Sequence, residues 1–219
     1  MNTFIFSDTH LGPKFEEKKF NFLKHKIQKA DQVIINGDFW EGYLYSFNQF
    51  LSSPWSLLFP FLKEKKAVYL YGNHDKKIVS SEKVSLFSDI QTDRHLQKLN
   101  GHTLVFEHGN RLWNSGDSFV ARNTTVEVAT VLTDKLENVL THSGSKKYQK
   151  LLLSKYNQII KDKLKDELKP NEIFVCGHTH LAEFNLSVQF INSGIIRHGL
   201  AQYLEVWGTT IIPKEEWYD

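Results

Sequence analysis

Apolar positions along the chain fall into two rhythms. Short continuous runs, Thr3 to Phe6, Gln32 to Asn36, Ala67 to Tyr71 and Ile173 to Cys176, have the length of strands buried on both faces and stop at polar or glycine-containing turns. Between the first two, Phe15, Phe20, Leu23 and Ile27 recur at three- to five-residue steps among lysines and glutamates, which predicts an amphipathic helix from Phe15 to Ala30. Tyr43 to Lys66 is aromatic and leucine-rich, with a second helix expected to start at Ser53-Pro54, a serine cap before a proline at the first helical position. The chain therefore begins β-α-β-α-β, the order of a largely parallel sheet with right-handed crossovers.

His95 to Leu99 and Thr103 to Glu107 flank Asn100-Gly101 and predict a two-residue hairpin. Two long helical patterns follow, Asp117 to Leu140 and Lys146 to Leu168, broken by Thr141-His142-Ser143-Gly144. The second places Leu152, Tyr156, Ile159, Ile160, Leu164 and Leu168 on one side and lysines opposite. Residues 111–169 are thus expected to form a helical hairpin inserted into one domain spanning 1–219. Phe184 to Leu186, Val188 to Ile191, Gln202 to Trp207 and Thr209 to Ile212 read as closing strands.

Composition narrows the class. With 219 residues, 41% hydrophobic and 24% charged, the chain can bury a sizeable core, which excludes disordered and fibrous classes. A formal charge of +2 is too small to argue for nucleic acid, and the lysines between 146 and 169 alternate with acids as on a solvated helix face. The single cysteine, Cys176, follows Ile173-Phe174-Val175 and reads as a buried strand residue, in keeping with a reducing cytoplasm. No apolar run has the length of a membrane span, and Asp8 arrives before a secretory leader could fit.

The candidate chemistry lies where the runs end. Asp8 and His10, Asp38, Asn73 with His74, His108, and His178 with His180 each follow an apolar segment, and parallel strands gather ligands at their carboxyl ends. Carboxylate, imidazole and amide oxygen suit hard-to-borderline divalent cations such as manganese, iron or zinc, and the lack of clustered cysteines argues against a structural zinc site.

Asp8-Thr9-His10, Gly37-Asp38, Gly72-Asn73-His74-Asp75, His108-Gly109 and Gly177-His178-Thr179-His180 resemble, in order, the five motifs of the calcineurin-like metallophosphoesterases, and Asn192-Ser193-Gly194 is similar to a further loop of that family. The resemblance implies an α/β fold of two packed mixed sheets flanked by helices. It also implies two divalent ions, manganese first among them, with Asp8, His10 and His180 on one, Asn73, His108 and His178 on the other, and Asp38 bridging. A metal-bridging hydroxide would then attack phosphorus in line. His74 matches the catalytic histidine, and Glu41, three residues after Asp38, is a candidate to orient it.

The insert is similar to the cap of the UDP-2,3-diacylglucosamine pyrophosphohydrolase branch, but that branch typically carries arginine where this chain has His74. The departure favours a more general phosphoesterase acting on a small phosphorylated substrate, with a nucleotide-containing one in view. Arg111, Trp113, Arg122 and Asn123 are the substrate-binding candidates of the insert, since guanidinium binds phosphate in bidentate fashion and indole stacks; packing is the competing role of Trp113. Asn110 stands where many relatives have Asp or His. A nuclease is disfavoured by the charge, and a scaffold that had lost its chemistry would lack ligands or His74, which this chain retains.

Overall fold

A computed structural model describes residues 2–114, 122–142 and 146–218, with backbone only at 146–149 and 152. Two mixed sheets face each other. The first contains β1 (Asn2–Phe6), β2 (Gln32–Asn36), β3 (Val68–Leu70) and β4 (Ile90–Thr92) in parallel, with β11 (Leu200–Trp207) antiparallel to β1 and flanked by β10 (Ile196–Arg197) and β12 (Thr210–Trp217). The second runs β5 (His95–Leu99), β6 (His102–Phe106), β7 (Glu172–Cys176), β9 (Phe190–Asn192) and β8 (Glu183–Asn185), parallel across β6, β7 and β9.

The alternation along each strand decides the layers. Ile5, Ile34, Val68 and Leu70 point from the first sheet onto Leu104, Phe106, Ile173, Val175 and Ile191 of the second, making the core between them. Phe4, Phe6, Val33, Ile35 and Tyr69 point the other way, onto Leu23 and Ile27 of α1 (Glu17–Lys29) and the aromatic segment after β2. On the far side, Val105, Phe174, Cys176 and Phe190 meet Ile160 and Leu164. The result is helix, sheet, sheet, helix, with strands buried on both faces as their continuous apolar runs require.

Boundaries differ from the sequence pattern in instructive places. The Tyr43 to Lys66 segment is three short pieces, α2 (Phe47–Leu51), a 3-10 turn (Pro54–Leu58) and α3 (Phe59–Glu64). Prolines 54 and 60 each sit in a first turn, where a missing N–H costs nothing, and each starts a new piece. β4 and β10 went unread because strands of three and two residues carry too little pattern, and β12 runs past Ile212 by pairing with all of β11. Asn100 and Gly101, at φ 47° and 79°, make the expected hairpin turn.

Between β6 and β7 lie α4 (Thr124–His142) and α5 (Lys146–Leu164). The expected start at Asp117 and the break at Ser143-Gly144 fall outside the described residues, and residues 165–168 leave the α-helix. α5 is the outer layer on the second sheet, so this half of the insert builds the sandwich. Ile159, expected on its apolar side, is 38% exposed, and Lys161, expected in solvent, pairs with Glu183 at 2.6 Å. Among the described residues no helix is long and apolar enough to cross a membrane.

Candidate metal centre

The functional loops leave the carboxyl ends of β1, β2, β3, β6 and β7, strands of both sheets, so the site sits where the two sheets' edges converge. The first two loops run side by side. Asp8 donates its N–H to the Gly37 carbonyl (3.1 Å), His10 to Asp38 (3.0 Å) and Leu11 to Phe39 (2.9 Å). That pairing sets Asp8, His10 and Asp38 together. The Lys19 ammonium, buried under the loop, reaches the Thr9 carbonyl at 2.9 Å and holds its middle.

Asp8, His10, Asp38, His178 and His180 all have positive φ, between 42° and 69°. Non-glycine residues pay for that conformation, and it persists where the surroundings over-determine it, as at ligand clamps. Two glycines permit the close approach. A Cβ on Gly72 would lie 2.1 Å from Asp38 Oδ1, and one on Gly177 would lie 2.1 Å from Asp8 Oδ2.

Asp38 is at the centre. Its Oδ1 accepts the His74 N–H at 2.9 Å, while Oδ2 lies 3.1 Å from His108 Nε2 and 3.6 Å from His10 Nε2. Asp8 accepts the His178 N–H at 2.9 Å, with His180 Nε2 3.2 Å from its Oδ1. Asp8, His10 and His180 form one group whose ligand atoms lie within 4.8 Å of one another, and Asp38, His108 and His178 form another. Asn73 is buried beside His74 in the β3 loop, its carbonyl accepting the Tyr43 hydroxyl at 3.0 Å.

Each ligand-candidate imidazole has one nitrogen already committed. His10 Nδ1 faces Glu41 Oε2 at 2.8 Å, His108 Nδ1 donates to the Asn36 carbonyl at 2.8 Å, His178 Nε2 donates to the Trp113 carbonyl at 2.8 Å, and His180 Nδ1 is bonded to Glu137. Since carbonyls and carboxylates only accept, the proton sits on that nitrogen and the lone pair on the other. His10 Nε2 and His180 Nε2 then face each other at 3.3 Å, and buried His108 Nε2, although 3.1 Å from Asp38 Oδ2, makes no well-aligned hydrogen bond among the described residues. Converging lone pairs and carboxylates demand a cation. The field of the carboxylates shows in the rings: against the opposing effect of burial, Asp38 and Asp8 push His108 up to about 10, and Glu137 and Asp8 do the same for His180. His178, where burial and the neighbouring His108 dominate, is held down at about 4. The donor set therefore fits divalent metal.

Glu41 joins two imidazoles. Its Oε1 takes His74 Nδ1 at 2.7 Å, and the His74 ring stands edge-on to His10 at 4.4 Å between ring centroids. The sequence pointed to Glu41 as a partner of His74 but not of His10. Asp75, which the sequence left without a task, is the knot beneath: its carboxylate accepts the N–H groups of Asp38 (3.1 Å), Phe39 (2.7 Å) and Gly72 (2.6 Å) and the Tyr69 hydroxyl (2.5 Å). Asp75→Ala leaves those four buried donors without an acceptor at about 1–3 kcal/mol each, so a loss of at least roughly 4 kcal/mol is expected, read as a denaturant midpoint well below wild type.

The insert's candidates separate. Arg111 lies at the edge of a cavity of about 500 Å³ that reaches His108, but its guanidinium is bonded to Glu107 (3.0 Å) and Glu167 (2.7 Å). Trp113 stacks on Tyr156 at 4.1 Å and lies 5.1 Å from the His178 ring, a packing position. Asn123 accepts the Val126 N–H at the head of α4, and Arg122 pairs with Glu127, so both serve the start of that helix. A second cavity, about 360 Å³, opens beside His10 and Glu41 and is lined also by Lys14, Arg197 and His198.

A buried set of carboxylates and imidazoles at the converging ends of two sheets defines a candidate site for divalent metal. The calcineurin-like phosphoesterase superfamily domain matches residues 1–203, and the chain belongs to that family. It is a metal-dependent phosphoric ester hydrolase. No curated protein matches the sequence. Among solved structures, the chain is similar to a novel archaeal phosphodiesterase (16% identity, 99% of this chain and 100% of that one, TM-score 0.50). It is also similar to a predicted phosphoesterase from Streptococcus pneumoniae (15%, 100% and 90%, 0.48) and to Yfce, a phosphoesterase from E. coli (15%, 100% and 100%, 0.46). At 16% identity the likeness to the archaeal phosphodiesterase speaks for the fold alone.

Proposed function

We propose that the chain hydrolyses phosphate mono- or diester or pyrophosphate bonds at a dinuclear centre, with Asp8, His10 and His180 holding one divalent ion, Asn73, His108 and His178 the other, and Asp38 shared. The observation that carries the reading is the place of Asp38, whose one carboxylate oxygen faces both His10 and His108, a member of each group. Manganese is the expected ion, with iron or zinc compatible with the same donors. When bound, such a pair neutralises phosphate charge and makes hydroxide available near neutral pH.

The chain's own residues do the rest. Asp8 and Asp38, each fixed by a backbone N–H, stay ionised: burial opposes this, but His108 and the other imidazoles hold both carboxyls well below their usual range. His74 Nδ1 is bonded to Glu41, and as imidazolium the ring would give the departing oxygen a proton or a hydrogen bond from its Nε2. Its N–H on Asp38 ties its position to the shared ligand.

Cavities on the His108 side and the His10 side leave room for substituents on both sides of a phosphorus atom, which favours diesters and pyrophosphates over simple monoesters. The test is a panel with manganese: an aryl monoester, an aryl diester, a nucleoside diphosphate conjugate and a cyclic nucleotide. Higher kcat/KM on the diester or the conjugate is expected, and no turnover of any of the four would contradict the reading.

A further inference from the structure

The loop that carries the last two ligand candidates, His178 and His180, is gripped by the insert at three consecutive residues. His178 Nε2 donates to the carbonyl of Trp113, at the insert's start. Thr179 Oγ1 donates to Asn157 Oδ1 of α5 at 2.5 Å, and Asn157 itself is fully buried, its Nδ2 reaching the Leu181 carbonyl at 3.1 Å. His180 Nδ1 is bonded to Glu137 of α4.

Glu137 is the pivotal member. Its side chain is only 14% exposed, and its second oxygen accepts from Arg197 Nη1 at 2.7 Å with His198 Nε2 at 3.2 Å. The carboxylate is thus held from the core side by β10 and its turn, and it in turn fixes the ring of His180 so that Nε2 faces Asp8. A carboxylate on the outer nitrogen of a ligating histidine sets its tautomer, orients the ring and raises its basicity, and such partners typically change metal affinity by 10- to 100-fold.

We propose that Glu137 is a positioning residue of the metal centre, acting through the ring of His180 to retain the ion held by Asp8, His10 and His180. This rests on the dinuclear reading above. The insert then serves as a clamp on the ligand loop as well as a wall of the active site, and a chain with α4 undocked would keep the ion at Asp38, His108 and His178 more firmly than the other.

The experiment is a Mn2+ titration of the metal-stripped full chain, followed by equilibrium binding and by electron paramagnetic resonance, which distinguishes a spin-coupled pair from a lone ion. Glu137→Ala should weaken one of two ions by roughly 10- to 100-fold and replace the coupled signal by that of a single ion at limiting metal. Glu137→Gln keeps an acceptor without the charge and should lose less; it carries the test if the alanine variant does not fold. Asp134→Asn, which loosens the neighbouring contact of α4 to Arg197 without touching His180, should bind both ions as wild type does. Equal affinities for both ions in wild type and both Glu137 variants would overturn the proposal. So would an Asp134→Asn loss as large as that of Glu137→Ala, which would reduce the effect to helix docking. Wild type that takes up no Mn2+ would instead overturn the dinuclear reading itself.

Discussion

Asp38→Asn is expected to lose metal and turnover together. The substitution keeps the size of the side chain and one oxygen, so the loop between β2 and α2 should still fold, with Asp75 holding its backbone as before. What it removes is the charge that faces His10 on one side and His108 on the other. An amide also points two donors somewhere, and here the neighbours are the bare nitrogens of imidazoles that an ion would otherwise draw together. Both groups lose affinity at once, whereas a change at His178 or His10 touches one. Turnover should fall by at least about a thousandfold, since positioning and charge neutralisation are what catalyse phosphoryl transfer. Elemental analysis and a diester assay on the same preparation read both effects, and a variant free of metal yet fully active would sink the assignment of Asp38.

His74→Ala is expected to separate the two effects. The side chain is bonded to Glu41 and packs edge-on to His10, but it belongs to neither proposed ion. Metal content should therefore stay at the wild-type level while kcat falls by roughly 10²–10⁴, the contribution of a positioned general acid. The loss should depend on the leaving group. An aryl substrate whose departing oxygen is already a weak base needs little help, and an alkyl ester needs much, so the ratio of the two rates should widen in the variant. Loss of metal in His74→Ala would instead move His74 into the ligand set, through its shared partner Glu41.

How much of this could be read from the chain follows from where the information lies. Strands buried on both faces are continuous apolar runs, so β1, β2, β3 and β7 were legible, and each stops at the residues proposed as ligands. Asp8, Asp38 and His178 with His180 sit in loops of left-handed backbone, a conformation no local pattern betrays; the glycines before them, Gly37 and Gly177, were the only trace. Glu41 was offered as a partner of His74 only through the family resemblance, and its second contact, to His10, left no trace in the chain. Glu137 and Asn157 were not, because each is one polar residue on a helix of alternating polar and apolar positions, and only the docking of that helix brings it to the ligand loop 43 and 22 residues away. Asp75 stood in a recognised motif, but four donors from two stretches of the chain, 38–39 and 69–72, converge on it only in the folded chain. In the insert the sequence offered two arginines, an indole and an amide as substrate ligands; of these Trp113 stacks on Tyr156, Arg122 pairs with Glu127 and Asn123 accepts the Val126 N–H.

The account stands most directly on the count of metal ions. Protein purified without chelator, loaded with manganese and passed through a desalting column, is expected to carry close to two ions per chain by elemental analysis, and metal-stripped protein to regain diester hydrolysis as the second ion is added. A plateau at one ion with full activity, or hydrolysis that persists in protein stripped of all metal, would contradict it.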